Sequence, residues 1–227
     1  MKPLHALSAA DHDRVSAAVT DAEKETDGEI VTIVTRRSDS YHDVGLHWAI
    51  GTVFLALAVY AMAPDFYRGL ILSVAGGWEH DLSDRAFLLW IFCALIVKFL
   101  FVRYLLAIMP LRMLLTPRAT KGRRVRRRAI LLFRAAAEAR TRGRTGVLIY
   151  LSLDEHRAEI LADAAITAKV SPESWGDIMA HLVDAIRADR PGEGLAQAVR
   201  EVGHVLAAHF PRSPDDFNEL PDRLIEL

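Results

Sequence analysis

The sequence predicts an α/β fold, a helix-flanked sheet sandwich that is interrupted by a two-helix transmembrane hairpin. Three observations predict it. Two long apolar runs lie in the middle of the chain, over 46–63 and 86–109. A β-branched strand over 29–35 precedes them, and a nearly continuous apolar strand over 145–153 follows them. With 227 residues and 52% hydrophobic content, the chain is long and apolar enough for one or two folded domains, which excludes a disordered protein.

The first predicted elements are a helix and a strand. Ser8 and Asp11 have the spacing of a capping box, which predicts that a helix begins there. Gly28 is the expected stop of this helix, and the strand EIVTIVT then follows over 29–35. One helix and one strand cannot close a core, so this segment needs a partner elsewhere in the chain. The predicted inner face of the helix consists of Val15, Ala18, Val19 and Ala22.

The two apolar runs have the lengths of membrane spans. Residues 46–63 carry no formal charge and would measure about 27 Å as a helix, close to the hydrocarbon thickness of a bilayer. Residues 86–109 would measure about 36 Å, with Pro110 as the expected end. Lys98 and Arg103 interrupt this second run. The alternative is a hairpin of core helices in a soluble protein, but a helix that is apolar on all sides has no polar face for water.

The charge distribution predicts the orientation of the hairpin. Residues 112–144 carry twelve Lys and Arg and one acidic residue, whereas the loop over 64–85 contains only Arg68 and Arg85 as basic residues. The positive-inside rule therefore places both termini in the cytoplasm and the loop on the other side of the membrane. We expect the basic residues after the second run to contact anionic lipid. These membrane-surface candidates are Arg112, Arg118, Lys121, Arg123, Arg124, Arg126, Arg127 and Arg128.

The C-terminal half supplies the elements that the first half lacks. In order, the patterns predict a helix over 124–140, the strand over 145–153, a strand over 157–161, a helix from Ser171-Pro172 and a helix over about 194–209. The strand over 145–153 reads as a central strand, and the only other long strand available to pair with it is the one over 29–35. Pairing requires both strands on one side of the membrane, which an even number of crossings provides. The predicted inner face of the helix over 124–140 consists of Ile130, Leu131, Phe133, Ala136 and Ala137.

This order of elements resembles the TPM-domain family of bacterial and thylakoid membrane proteins. The resemblance covers 8–37 and about 124–222, with the hairpin as an insertion. Its most specific pieces are Gly146-Val147-Leu148, Asp154-Glu155-His156-Arg157, Gly194-Leu195, His209-Phe210-Pro211 and Asn218-Glu219-Leu220-Pro221. The resemblance implies an α/β/α sandwich and, for this chain, a location in the inner membrane of a bacterium. It also implies calcium binding or acid phosphatase activity, which have been proposed for some members.

Four carboxylates are the candidates for a metal site: Asp154, Glu155, Asp163 and Asp177. No cofactor is firmly implied, and calcium or another divalent cation is the candidate ligand. Calcium takes six to eight oxygens, commonly from a loop that also offers backbone carbonyls. The segment over 162–167 contains no glycine, where the family has a glycine-rich stretch that shapes an acidic site. A solvated acidic surface is therefore the favoured interpretation.

Other enzyme classes are disfavoured by missing motifs. The chain has no HExxH, GxSxG, GxxxxGK[ST] or GxGxxG motif, and its single cysteine, Cys93, lies in the second apolar run. Twelve basic residues over 112–144 could also neutralise nucleic-acid phosphates. The membrane interpretation is favoured because the segment follows a span directly and contains one aromatic residue, Phe133.

The predicted organisation has four parts. They are the N-terminal part of a TPM-like domain (1–45), the hairpin (46–110), a basic juxtamembrane segment with a helix (111–144) and the C-terminal part of the domain with its tail (145–227). The favoured function is a non-catalytic interaction module that takes part in the assembly or quality control of other membrane proteins. The alternatives are a divalent-metal-dependent phosphatase and a tether for nucleic acid.

Overall fold

A computed structural model describes residues 7–75, 82–136, 145–214, 220 and 222–227, and in it the chain forms two compact units. The α/β unit contains Met1–Asp39 and Arg118–Leu227, and the helical unit contains Ser40–Pro117. The elements are α1 (Ala9–Glu23), β1 (Glu29–Thr35), α2 (His42–Met62), α3 (Pro64–Ala75), α4 (Asp84–Leu105), α5 (Met109–Leu115), α6 (Arg118–Ala136), β2 (Gly146–Ser152), β3 (Arg157–Ala162), α7 (Ala164–Thr167), α8 (Pro172–Arg187), α9 (Pro191–His209) and β4 (Ile225–Glu226).

The sheet of the α/β unit joins the two ends of the chain. Its strand order is β3-β2-β1-β4. β1 and β2 are parallel and in register from Glu29 opposite Gly146 to Thr35 opposite Ser152. β3 returns antiparallel to β2, and β4 adds a short parallel edge beside β1. The predicted pairing of the N-terminal strand with the C-terminal sheet is confirmed, whereas β4 was not predicted.

This pairing restricts how the intervening chain can cross a membrane. All seven residues of β1 and all seven of β2 are buried, so the two strands form the centre of one sheet. A hydrogen-bonded pair of strands cannot be divided by a bilayer. The segment between them therefore crosses any membrane an even number of times or not at all.

Helices cover both faces of the sheet. On one face, α1, α8 and α9 form one core with Ile30 and Val34 of β1. On the other face, α6 packs over Val31 and Ile33. Alternate residues of one strand thus serve two cores, which explains why β1 is β-branched along its whole length. The predicted fold class, a helix-flanked α/β sandwich, is confirmed.

Helix boundaries show where local patterns mislead. The capping box is confirmed, because the Ser8 hydroxyl accepts the Asp11 N–H at 3.1 Å and the Asp11 carboxylate accepts the Ser8 N–H. The helix nevertheless ends at Glu23, so Gly28 is not its stop; Gly28 lies just before β1. The expectation that Pro110 ends the second apolar helix is also wrong. That helix, α4, ends at Leu105, and Pro110 lies in the first turn of α5, where proline needs no N–H partner.

The inner face of α6 agrees with the predicted one at Phe133 and Ala136 and differs from it elsewhere. Val125, Ala129 and Phe133 are buried, whereas Leu131 is 53% exposed. The buried residues recur every four positions within an arginine-rich stretch, where the apolar pattern is weak. The prediction instead relied on the more apolar C-terminal end of the helix. Ala137 and the rest of the predicted helix to residue 140 lie outside the described residues.

The helical unit contains two long apolar helices that pack against each other. α2 has 21 residues and α4 has 22, and both are long and apolar enough to cross a membrane. Their most apolar windows are only 22% and 6% buried, respectively. The core helices of soluble proteins are mostly buried, and here large side chains such as Phe54, Phe92 and Val97 are more than 60% exposed.

The close contact between α1 and α9 depends on Gly203. A Cβ added at Gly203 would lie 2.6 Å from the Cβ of Ala22. We expect Gly203→Ala to lower the free energy of unfolding by about 1–2 kcal/mol, because overpacking outweighs the gain in helix propensity. Thermal unfolding of the full chain in detergent, followed by near-UV circular dichroism, measures this. Gly176 in α8 is the matched control: nothing lies within 4 Å of a Cβ placed there. Gly176→Ala should leave the midpoint unchanged or raise it, and equal losses in both variants would contradict the packing argument.

Candidate functional site

Arg112 is a structural residue of the helical unit. Its side chain is 2% exposed. Nε donates to the carbonyl of Leu106 at 2.7 Å, and Nη1 donates to the carbonyl of Ser40 at 2.7 Å and contacts Nδ1 of His42 at 3.2 Å. The side chain thus joins the end of α4 to the start of α2. Its assignment to the membrane-facing surface is wrong, because the guanidinium is buried and donates its hydrogen bonds to these carbonyls.

The other basic candidates lie on α6. Two of them pair with carboxylates of the α/β unit: Arg124 lies 2.8 Å from Asp39, and Arg126 lies 3.5 Å from Glu159. Asp39 is the last residue before the helical unit, so the Arg124 pair fastens the outgoing end of β1 to α6. Lys121 is half-buried. The exposed basic candidates of α6 are Arg118, Arg123, Arg126, Arg127 and Arg128.

A buried polar network lies at the carboxyl ends of β1 and β2. The Tyr150 hydroxyl is 2.7 Å from Thr35 Oγ1 and 2.9 Å from Ser38 Oγ. Ser38 donates to Ser152, and Ser152 donates to the carboxylate of Glu155. The second oxygen of Glu155 accepts the Ser38 N–H at 2.8 Å. Glu155 therefore holds the chain leaving β1 against the β2–β3 turn, which is a structural use of this candidate.

The four candidate carboxylates do not come together. Asp154 shares the turn with Glu155 and lies 3.8 Å from Arg36. Asp163 lies at the other end of the hairpin, where its carboxylate accepts the Gly146 N–H at 3.0 Å. The length of β2, about 20 Å, separates these positions. Asp177 is exposed on α8. Within the described ranges, no group of three or more His, Cys, Asp or Glu side chains is arranged to hold a metal.

Sequence reasoning missed a different acidic group at the amino end of β1. Oε1 of Glu23 accepts the Ile30 N–H at 2.9 Å, and Glu29 accepts the Leu220 N–H at 3.1 Å. Asp222 accepts the hydroxyl of Thr20 at 2.8 Å. The pKa of Glu23 is raised to about 8, chiefly by burial and also by the charges of Glu29 and Asp222, while the Ile30 hydrogen bond opposes the rise. Helix and strand boundaries alone could have placed Glu23 near Glu29, but nothing in the pattern places the tail there.

Glu23 makes the stability of the α/β unit depend on pH. Its pKa is 4.5 when unfolded and about 8 when folded, so the folded state binds the proton more tightly. The free energy of unfolding is therefore highest below pH 4.5 and falls as pH rises to about 8, by at most about 5 kcal/mol. We expect Glu23→Gln to flatten this decline while keeping the Ile30 hydrogen bond. Thermal midpoints at several pH values measure it. Glu25→Gln, at an exposed position two residues on, is the control and should follow the wild type; an unchanged slope in Glu23→Gln would refute the assignment.

Comparison with known proteins agrees with this architecture. The family model described as TPM domain matches residues 109–205, from the first residue of α5 into α9. The NMR structure of the BA42 protein from the psychrophilic bacterium Bizionia argentinensis is similar with a TM-score of 0.56 and 18% identity, covering 100% of this chain and 99% of that one. At this identity the likeness concerns the fold. No curated protein matches the sequence significantly. The resemblance found in the sequence is confirmed over residues 109–205, where the chain carries a TPM domain.

Proposed function

We propose that the protein is an integral membrane protein of the bacterial inner membrane that presents its TPM domain in the cytoplasm as a non-catalytic interaction module. Its hairpin crosses the membrane twice, and both termini are cytoplasmic. The domain then acts in the assembly or quality control of other membrane proteins. The observation that carries the membrane part is the exposure of α2 and α4, whose apolar side chains face outward.

Three observations support two crossings. The apolar windows of α2 and α4 are 22% and 6% buried, which leaves most of their side chains for lipid. The parallel pairing of β1 with β2 allows only an even number of crossings. Lys98 and Arg103 lie in the last third of α4, near enough to its end for long side chains to reach the interface.

The orientation rests on the exposed arginines of α6. Arg118, Arg123, Arg127 and Arg128 are exposed and follow the second apolar helix closely. The connection between the spans contains few basic residues, and one of them, Arg68, pairs with Asp84 at 2.5 Å. The positive-inside rule then assigns the α/β unit to the cytoplasm.

The way in which the carboxylates are used supports a non-catalytic role. Glu155 and Asp163 each accept backbone N–H groups that hold strand ends in place, and Asp154 lies beside Arg36. A phosphatase that relied on these residues would need them free and convergent on one metal ion. An interaction module needs only the folded surface that they stabilise.

Cysteine accessibility tests the topology. In a Cys93→Ser background, single cysteines are placed at three exposed positions: Asp13 in α1, Ala180 in α8 and Ser73 in α3. In spheroplasts, we expect an impermeant maleimide to label Ser73→Cys alone; in inverted vesicles it should label the other two. The protein should also stay in the pellet after alkaline carbonate extraction. Release by carbonate, or labelling of Asp13→Cys and Ala180→Cys from opposite sides, would refute the proposal.

Phosphate monoester hydrolysis tests the catalytic alternative. Purified full-length protein with calcium, magnesium or manganese should release no phosphate above the buffer rate. Asp163→Asn, which keeps an oxygen for the Gly146 N–H but removes the charge, should behave like the wild type. Asp177→Asn on the exposed face of α8 is the control. Metal-dependent turnover that disappears in Asp163→Asn and persists in Asp177→Asn would establish the phosphatase instead.

A further inference from the structure

Three cations from two elements meet at the start of α6. Arg118 and Lys121 lie one turn apart on that helix, and Arg157 begins β3. Nη2 of Arg157 donates to the backbone carbonyl of Arg118 at 3.2 Å. Gly122 makes this approach possible, since a Cβ at that position would lie 3.3 Å from Nη1 of Arg157. The guanidinium is thereby fixed against the helix beside Lys121.

The positive charge of this group is only partly compensated. Burial lowers the pKa of Lys121. The positive charges of Arg157 and Arg118 also lower this pKa, whereas the negative charge of Glu155 raises it. The carboxylate of Glu155 already accepts the Ser38 N–H and the Ser152 hydroxyl, so its charge is shared with that network. Arg157 also faces Glu159, whose carboxylate lies 3.5 Å from Arg126. The three cations therefore face two carboxylates that already have other partners, whereas Arg124 lies 2.8 Å from Asp39.

The chemistry of these side chains fits a phosphate group. A guanidinium offers five N–H donors in a planar fork, of which Arg157 uses one on Arg118, and the Lys121 ammonium offers three more. Arg118 is the first residue of the α/β unit after the helical unit, which ends at Pro117. If the helical unit spans the membrane, lipid headgroups are the phosphates that are concentrated where the chain emerges from it.

We propose that Arg118, Lys121 and Arg157 form a defined site for the phosphodiester headgroup of an anionic lipid. The proposed site rests on the membrane attachment proposed above. It replaces a diffuse attraction between basic residues and anionic lipids with one specific contact. One headgroup occupies the site, and Arg157 links it to the sheet. The TPM domain is therefore held to the bilayer through β3 as well as through its covalent connections to the hairpin.

Lipid titration of the full-length protein in detergent tests the site. Native mass spectrometry measures the retention of phosphatidylglycerol, phosphatidylcholine and inorganic phosphate, each added separately. We expect one phosphatidylglycerol to be retained about tenfold or more over phosphatidylcholine. Removing two charges in Lys121→Gln/Arg157→Gln should weaken its binding about 25-fold, at roughly fivefold for each charge. Lys121→Arg should keep the binding.

Arg127→Gln/Arg128→Gln is the matched control, because it removes the same charge from exposed positions of the same helix. We expect less than about a twofold loss in this variant. Equal losses in the two double variants, no loss in either, or equal retention of inorganic phosphate and phosphatidylglycerol would each overturn the site. Carbonate extraction of every variant separates the two proposals. A protein that stays in the membrane but binds lipid indifferently refutes only the site, whereas a released wild type refutes the membrane attachment.

Discussion

The parallel pairing of β1 with β2 is the constraint on which the rest of the structure depends. It brings together two stretches of chain that a complete helical unit separates. Both strands are buried along their whole length, so neither can exist as a stable strand without the other and the helices on both faces. The two-sided core, the position of α6 and the polar network at the strand ends all follow from this pairing.

Charged residues mostly fasten the two segments of the α/β unit together. Asp39 pairs with Arg124 at the point where the chain leaves the unit, and Glu155 accepts the Ser38 N–H nearby. At the amino end of β1, Glu29 accepts the Leu220 N–H and so holds the C-terminal segment against the sheet. A discontinuous domain lacks the short loops that normally hold neighbouring strands together, and these contacts take their place.

The sequence predicted an element correctly where its residue pattern is compatible with only one secondary structure. The strand at Glu29–Thr35 and the helix beginning at Pro172 were predicted within a residue, because β-branched alternation and a Ser-Pro start leave few alternatives. The two-residue β4 is too short to carry any periodicity. Arg112 was misplaced because charge suggests exposure, whereas buried carbonyls can hold a guanidinium. Asp163 was grouped with Asp154 because the two residues are close in sequence, although they lie at opposite ends of the β2–β3 hairpin.

The long separation between paired residues has a consequence for biosynthesis. Thr35 and Tyr150, whose hydroxyls are 2.7 Å apart, are 115 positions apart in the chain. At a ribosome adding about 5–20 residues per second, the first strand waits roughly 6–23 s for its neighbour to be translated. During that interval the apolar, β-branched strand β1 has no partner strand. All of the intervening helices are therefore synthesised while β1 is still unpaired, and the nascent strand needs protection from aggregation until β2 has been made.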